Sequence, residues 1–175
     1  MTFFENIANV NTTSDRQLII HEVMGRHCGW LTAATAFEYR KRLNNLNFIP
    51  EIGLIKKKWD IHSILIPEEE INFKKECEHL SKIMDKYDCV NVFLSEGAGI
   101  QPGGSISDTE VIKETEKAGG TVLRDAFGHV RLDELNPGKW FAKQFGKELN
   151  ANKILVQKSG YFSRSSKANK EDLNL

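Results

Sequence analysis

The sequence predicts an α/β protein built on a mostly parallel sheet with helices on both faces. Three observations carry this. Short apolar runs alternate five times with amphipathic stretches, the order that places crossover helices between parallel strands. The run Cys89-Val-Asn-Val-Phe-Leu94 has the near-continuous apolar character of a strand covered on both sides. With 175 residues, the chain is long enough to close a core around such a sheet without disulfide or metal staples.

Along the chain, Phe3, Phe4, Ile7 and Val10 give a helical start that ends in a polar turn before Asp15. It reads as a helix packed against something other than the main domain. Residues 1–15 are therefore set apart as a lead-in from a preceding region, 16–166 form the α/β domain, and 167–175 form a charged tail. Gln17 to Val23 is the first strand. Cys28 to Asn44 is a helix, with Trp30, Ala33, Ala34, Phe37 and Lys41 on one side. Residues 45–59, with Pro50, Gly53 and Lys56-Lys57-Lys58, form a polar, solvated connection.

Asp60 to Pro67 is the second strand, stopped by its proline. Phe73, Cys77, Leu80, Met84 and Tyr87 recur at helical spacing, and Asp88 ends that helix. Ser107 with Glu110 forms a capping box for a short helix closed by Gly119-Gly120. Thr121 to Arg124 is a short strand. Asn136-Pro137 opens a helix carrying Trp140, Phe141, Phe145 and Leu149. Lys153 to Gln157 is the last strand.

Composition excludes several functions. Lysine plus arginine and aspartate plus glutamate number 24 each, so no net basic field recruits nucleic acid or an anionic membrane. Three cysteines without a CxxC pair argue against a disulfide framework or zinc site and fit a reducing cytoplasm. No run reaches the ~18 apolar residues of a membrane helix, and no signal-peptide pattern opens the chain.

In parallel sheets ligands gather beyond the carboxyl ends of strands. The residues expected there are Met24-Gly25-Arg26, Pro67-Glu68, Glu96-Gly97-Ala98-Gly99, Asp125, and Lys158 through Arg164. Gly25 and Arg26 precede a helix whose amide end faces that rim, an arrangement that favours an anion. Cations with carboxylates suit a phosphorylated polyol. Taken singly, each residue also has an ordinary reading. Met24 is a core methionine, Arg26 and Arg164 are surface ion-pair partners, Glu68 is a solvated helix start, and Tyr161 is a half-buried aromatic. His27 and His129 beside glycines are structural, and Ser95-Glu96-Gly97 lacks the pattern of a hydrolase nucleophile elbow.

Four motifs in order, Glu22-Val-Met-Gly-Arg-His-Cys-Gly29, Ile66-Pro-Glu68, Ser95-Glu-Gly-Ala-Gly99 and Gly160-Tyr-Phe-Ser-Arg164, resemble the phosphofructokinase superfamily over nearly the whole chain. The insert Asp125 to Gly138 and the Tyr-x-x-Arg form of the last motif resemble its pyrophosphate-dependent branch. The resemblance implies a glycolytic phosphotransferase that passes a phosphoryl group reversibly from pyrophosphate to the 1-hydroxyl of fructose 6-phosphate. By the same resemblance Met24, Gly25 and Arg26 bind the sugar phosphate and Glu68 accepts from sugar hydroxyls. Tyr161 and Arg164 grip the 6-phosphate, with Lys158 ranked behind them. The family is oligomeric, and it uses a basic residue on the strand before Met-Gly-Arg to reach a neighbouring subunit. Gln17 holds that place here, with Arg16 one residue early.

The family's Gly-Gly-Asp and Thr-Ile-Asp-Asn-Asp motifs, which supply the base, the Mg²⁺ ligands and the donor cradle, do not occur in these 175 residues. The chain therefore resembles the sugar-phosphate-binding portion of an incomplete two-domain fold, with no catalytic or metal-binding residue of its own. Loss of the base alone costs roughly 10²–10⁴ in rate. The alternatives are a binding or interaction module without turnover, and part of an ATP-dependent phosphofructokinase.

Overall fold

In the computed structural model the described residues are 2–99, 116–117 and 137–160. Strands β1 (Gln17–Val23), β2 (Ser63–Leu65), β3 (Cys89–Ser95) and β4 (Lys153–Lys158) form one sheet in the order β2-β3-β1-β4. Every pairing is parallel. The register sets Val23 opposite Ser95, Glu22 opposite Lys158 and Leu65 opposite Leu94. The carboxyl ends of all four strands therefore share one rim. The capping box at Ser107, the strand Thr121–Arg124 and the cap at Asn136 fall outside the described residues.

Helices α1 (Thr2–Ala8), α2 (Trp30–Leu43), α3 (Phe73–Tyr87) and α4 (Pro137–Glu148) cover both faces of this sheet. Side chains alternate along β1 and β3 with a period of two. Leu18, Ile20, Val90, Val92 and Leu94 face α3 and α4, where Leu80, Met84, Phe141 and Phe145 complete one core. Phe93 faces the other way, with Ala36, Tyr39 and Leu43 of α2. Helix α3 has the predicted bounds. Asn72 caps it by accepting from the Lys75 amide at 3.1 Å, and Asp88 closes it in the left-handed region at φ 59°.

Three expectations change. The second strand pairs only over Ser63–Leu65, short of the Asp60 to Pro67 read from the sequence. Helix α1 is present but packs on this chain's own sheet. Phe4 meets His21, Tyr39 and Phe93 with ring centroids 3.9, 4.4 and 4.4 Å away. In α2 the buried face is Thr32, Ala36, Tyr39 and Leu43, while Trp30 and Phe37 are 72% and 67% exposed. This helix carries apolar residues on two sides, so periodicity alone does not choose between them. Tertiary fit does: Ala36 lets the sheet approach, and the Tyr39 hydroxyl donates to the Trp59 carbonyl at 2.8 Å. Burial, reinforced by Glu5 and Asp60, pushes the Tyr39 pKa above the ordinary tyrosine range.

One buried and one half-buried histidine, His21 and His62, make stability depend on pH. Burial holds His21 well below the ordinary histidine pKa, and its Nε2 has no hydrogen-bond partner among the described residues. Burial also lowers His62, whose Nδ1 accepts the Asn91 amide at 2.9 Å. With Nδ1 accepting, the proton sits on Nε2 and faces the Lys57 carbonyl, 2.9 Å away. Unfolded histidines protonate near pH 6.5, while the folded ones resist. Below that pH the unfolded state binds more protons and stability falls. The expected slope is up to about 1.4 kcal/mol per pH unit for each histidine. Urea midpoints should drop between pH 7.5 and 5, and a pH-independent midpoint over that range would refute the assignment.

Candidate functional site

The exit of β1 turns at Met24-Gly25-Arg26 and is fastened to the exit of β3. Gly25 has φ 146°, and a Cβ there would lie 2.3 Å from the Cys28 carbonyl oxygen and 2.9 Å from Ser95 Oγ, so only glycine fits. The buried Ser95 hydroxyl donates to the Gly25 carbonyl at 2.5 Å. The Glu96 amide donates to the Val23 carbonyl at 3.0 Å, and the Gly97 amide reaches the Gly25 carbonyl at 3.3 Å. A Cβ on Gly97 would sit 1.6 Å from the Arg26 carbonyl oxygen. The glycines after β3 thus leave room for the arginine backbone to pass. An open cleft of about 430 Å³ lies here, lined by Met24, Gly25, Arg26, Cys28, Trp30, Leu31 and Glu96.

The exit of β2 brings Glu68 to the same loop across 39 residues of sequence. Both of its carboxylate oxygens accept from the Gly29 amide, at 2.7 and 3.0 Å. Gly29 again must lack a side chain, since a Cβ would lie 2.5 Å from Ile66 Cβ. The anion at the start of α2 is therefore the chain's own carboxylate, where the sequence had suggested a ligand anion. Arg26 and Glu68 are brought to one rim. Tyr161 and Arg164 lie outside the described residues.

Lys158 ends β4 beside β1, and its ammonium pairs with Glu22 Oε1 at 3.0 Å. The other oxygen of Glu22 accepts from the buried Gly138 amide in the first turn of α4, at 2.8 Å. Sequence reasoning passed over Glu22, although a carboxylate inside an otherwise apolar strand signals a buried group in need of partners. At the opposite end of β1, Arg16 bonds the carbonyls of Leu149 and Asn150 at 2.6 and 3.0 Å and pairs with Asp85 at 2.9 Å. Arg16 is thus engaged within this chain, whereas Gln17 is fully buried and neither polar atom of its side chain finds a hydrogen-bond partner among the described residues. Among the described residues no three His, Cys, Asp or Glu side chains converge as a metal site requires. No helix among them is long and apolar enough to cross a membrane.

Fold and site together define a class: a parallel α/β protein with a cleft at the strand exits, shaped by close-packed glycine turns and flanked by fixed charges. Residues 1–174 match the phosphofructokinase family, and the chain belongs to it. Over 173 residues it is 48% identical to the pyrophosphate--fructose 6-phosphate 1-phosphotransferase of Methylomonas methanica, covering 99% of this chain and 40% of that protein. It is 49% identical to the protein of the same name from Mastigamoeba balamuthi, with the same two coverages, 99% and 40%. The chain thus spans about two fifths (40%) of the length of these relatives. The structure of a pyrophosphate-dependent phosphofructokinase from Nitrosospira multiformis superposes with a TM-score of 0.56 at 20% identity, covering 99% of this chain and 32% of that one. At that identity the likeness is one of fold.

Proposed function

We propose that this chain supplies the fructose 6-phosphate site of a pyrophosphate-dependent phosphofructokinase. The complete enzyme passes a phosphoryl group from pyrophosphate to the 1-hydroxyl of the sugar, reversibly and with Mg²⁺, to give fructose 1,6-bisphosphate. The observation that carries this reading is the junction of the Arg26 loop with Glu68 through Gly29, in a chain 48% identical to enzymes of that name over 99% of its length. Arg26 offers a charge-assisted contact to a phosphate. Glu68 spends one acceptor direction per oxygen on Gly29 and keeps the others for sugar hydroxyls. Tyr161 and Arg164 are assigned to the 6-phosphate by their motif.

Calorimetric titration of the 175-residue chain with fructose 6-phosphate tests the reading. Arg26→Ala and Arg164→Ala are each expected to weaken binding at least about tenfold, and unchanged affinity in both would sink it. The absence of Gly-Gly-Asp and Thr-Ile-Asp-Asn-Asp from this sequence favours binding without turnover by the chain alone. Assay with pyrophosphate, Mg²⁺ and fructose 6-phosphate should show no product, and measurable turnover would overturn that part.

A further inference from the structure

We infer that Glu22 is a positioning residue for the phosphate grip, acting through Lys158. The inference rests on the fructose 6-phosphate reading above and gives a role to Glu22, which opens the first motif but is assigned none by the resemblance. Glu22 is 5% exposed and stands two residues before the Met24-Gly25-Arg26 turn. A carboxylate so placed needs partners, and it has two from separate segments: the Lys158 ammonium at 3.0 Å and the Gly138 amide at 2.8 Å. Its backbone carbonyl takes a third, the Ser159 amide at 3.1 Å. One residue therefore fixes the exit of β1, the exit of β4 and the start of α4 relative to one another.

The consequence lies in what is left of Lys158. Its side chain is 35% exposed and stands at the carboxyl end of β4, on the rim that the strand exits share. A lysine ammonium carries three donors on a flexible four-carbon stem. One donor held by Glu22 orients the group and leaves two for phosphate oxygens. A released lysine would have to be ordered anew by each phosphate it bound, at a cost in side-chain entropy. Removing Glu22 also removes a negative charge near the proposed phosphate, which alone would tighten binding. The two roles thus predict opposite signs: positioning predicts weaker binding in the variant, and simple charge balance predicts tighter binding.

The test is titration of the 175-residue chain with fructose 6-phosphate, using Glu22→Gln, Lys158→Met and the double variant, each checked for thermal stability. Each single variant is expected to weaken binding about tenfold. The double variant should be no weaker than Lys158→Met, because both act through one ammonium. Unchanged or tighter binding by a folded Glu22→Gln chain overturns the inference. If Glu22→Gln does not fold, Lys158→Met decides, since it leaves the bond to Gly138 in place, and full affinity in that variant overturns the inference equally. Failure of the unsubstituted chain to bind the sugar phosphate overturns the reading of function itself, and is told apart by its appearance before any substitution is made.

Discussion

Gly97→Ala is expected to unseat the Arg26 loop, lowering stability by about 3 kcal/mol and abolishing measurable binding of fructose 6-phosphate. The added methyl would lie 1.6 Å from the Arg26 carbonyl oxygen, 2.5 Å from its carbonyl carbon and 2.9 Å from its Cα. None of these is the movable tip of a side chain. Relief requires the β1 exit or the turn after β3 to shift, and the two are joined by the bonds from Ser95, Glu96 and Gly97. Gly53→Ala is the control. It has φ 79° with nothing within 4 Å of an added Cβ, so its cost is conformational alone, about 1 kcal/mol, and it lies away from the cleft. Urea denaturation with calorimetric titration separates the two. Equal small losses in both, with binding intact, would show that the β3 turn does not hold the arginine in place.

What could be read in advance, and what could not, divides by the range of the interactions involved. Helix α3 was legible to its bounds because one apolar stripe, Phe73 to Tyr87, runs its whole length between a capping Asn72 and a left-handed Asp88. Strands β1 and β3 were legible from their apolar centres, Leu18-Ile-Ile20 and Val92-Phe-Leu94, and every residue in both is buried, the polar Gln17, His21, Glu22, Asn91 and Ser95 included. Helix α2 was legible in extent but not in orientation, because both Trp30–Phe37 and Ala36–Leu43 are apolar stripes. The site behaves the same way. Glycines at Gly25 and Gly97 announced turns, but the contact that makes Gly97 necessary is with Arg26, 71 positions earlier in the sequence. The pairing of Glu68 with Gly29 and of Glu22 with Lys158 depends on strand order, which no local pattern encodes.

That dependence also leads to the strongest effect expected far from the cleft. Strand β2 pairs over only three residues, too few to fix by themselves where Glu68 emerges. The register is pinned upstream by Asn91 of β3, which is fully buried. Its side-chain amide donates to the carbonyls of Lys58 and Asp60 at 3.0 and 2.9 Å, and its Oδ1 accepts from Asn11 at 3.0 Å. Its backbone exchanges bonds with His62, at 2.8 Å from the His62 amide and 2.9 Å to the ring. Asn91→Ala keeps the backbone pair but leaves the Asp60 carbonyl and the Asn11 amide short of buried partners. Each such loss costs about 1–3 kcal/mol, and together they should lower stability by about 3 kcal/mol. Because residues 58–62 lead directly into β2, the loosened strand should also release Glu68 from Gly29. Hydrogen exchange at the Gly29 amide is the decisive measurement. It should quicken in Asn91→Ala well beyond the exchange of amides in α3, whereas a uniform rise across the chain would mean that Asn91 stabilises the fold without setting the position of Glu68.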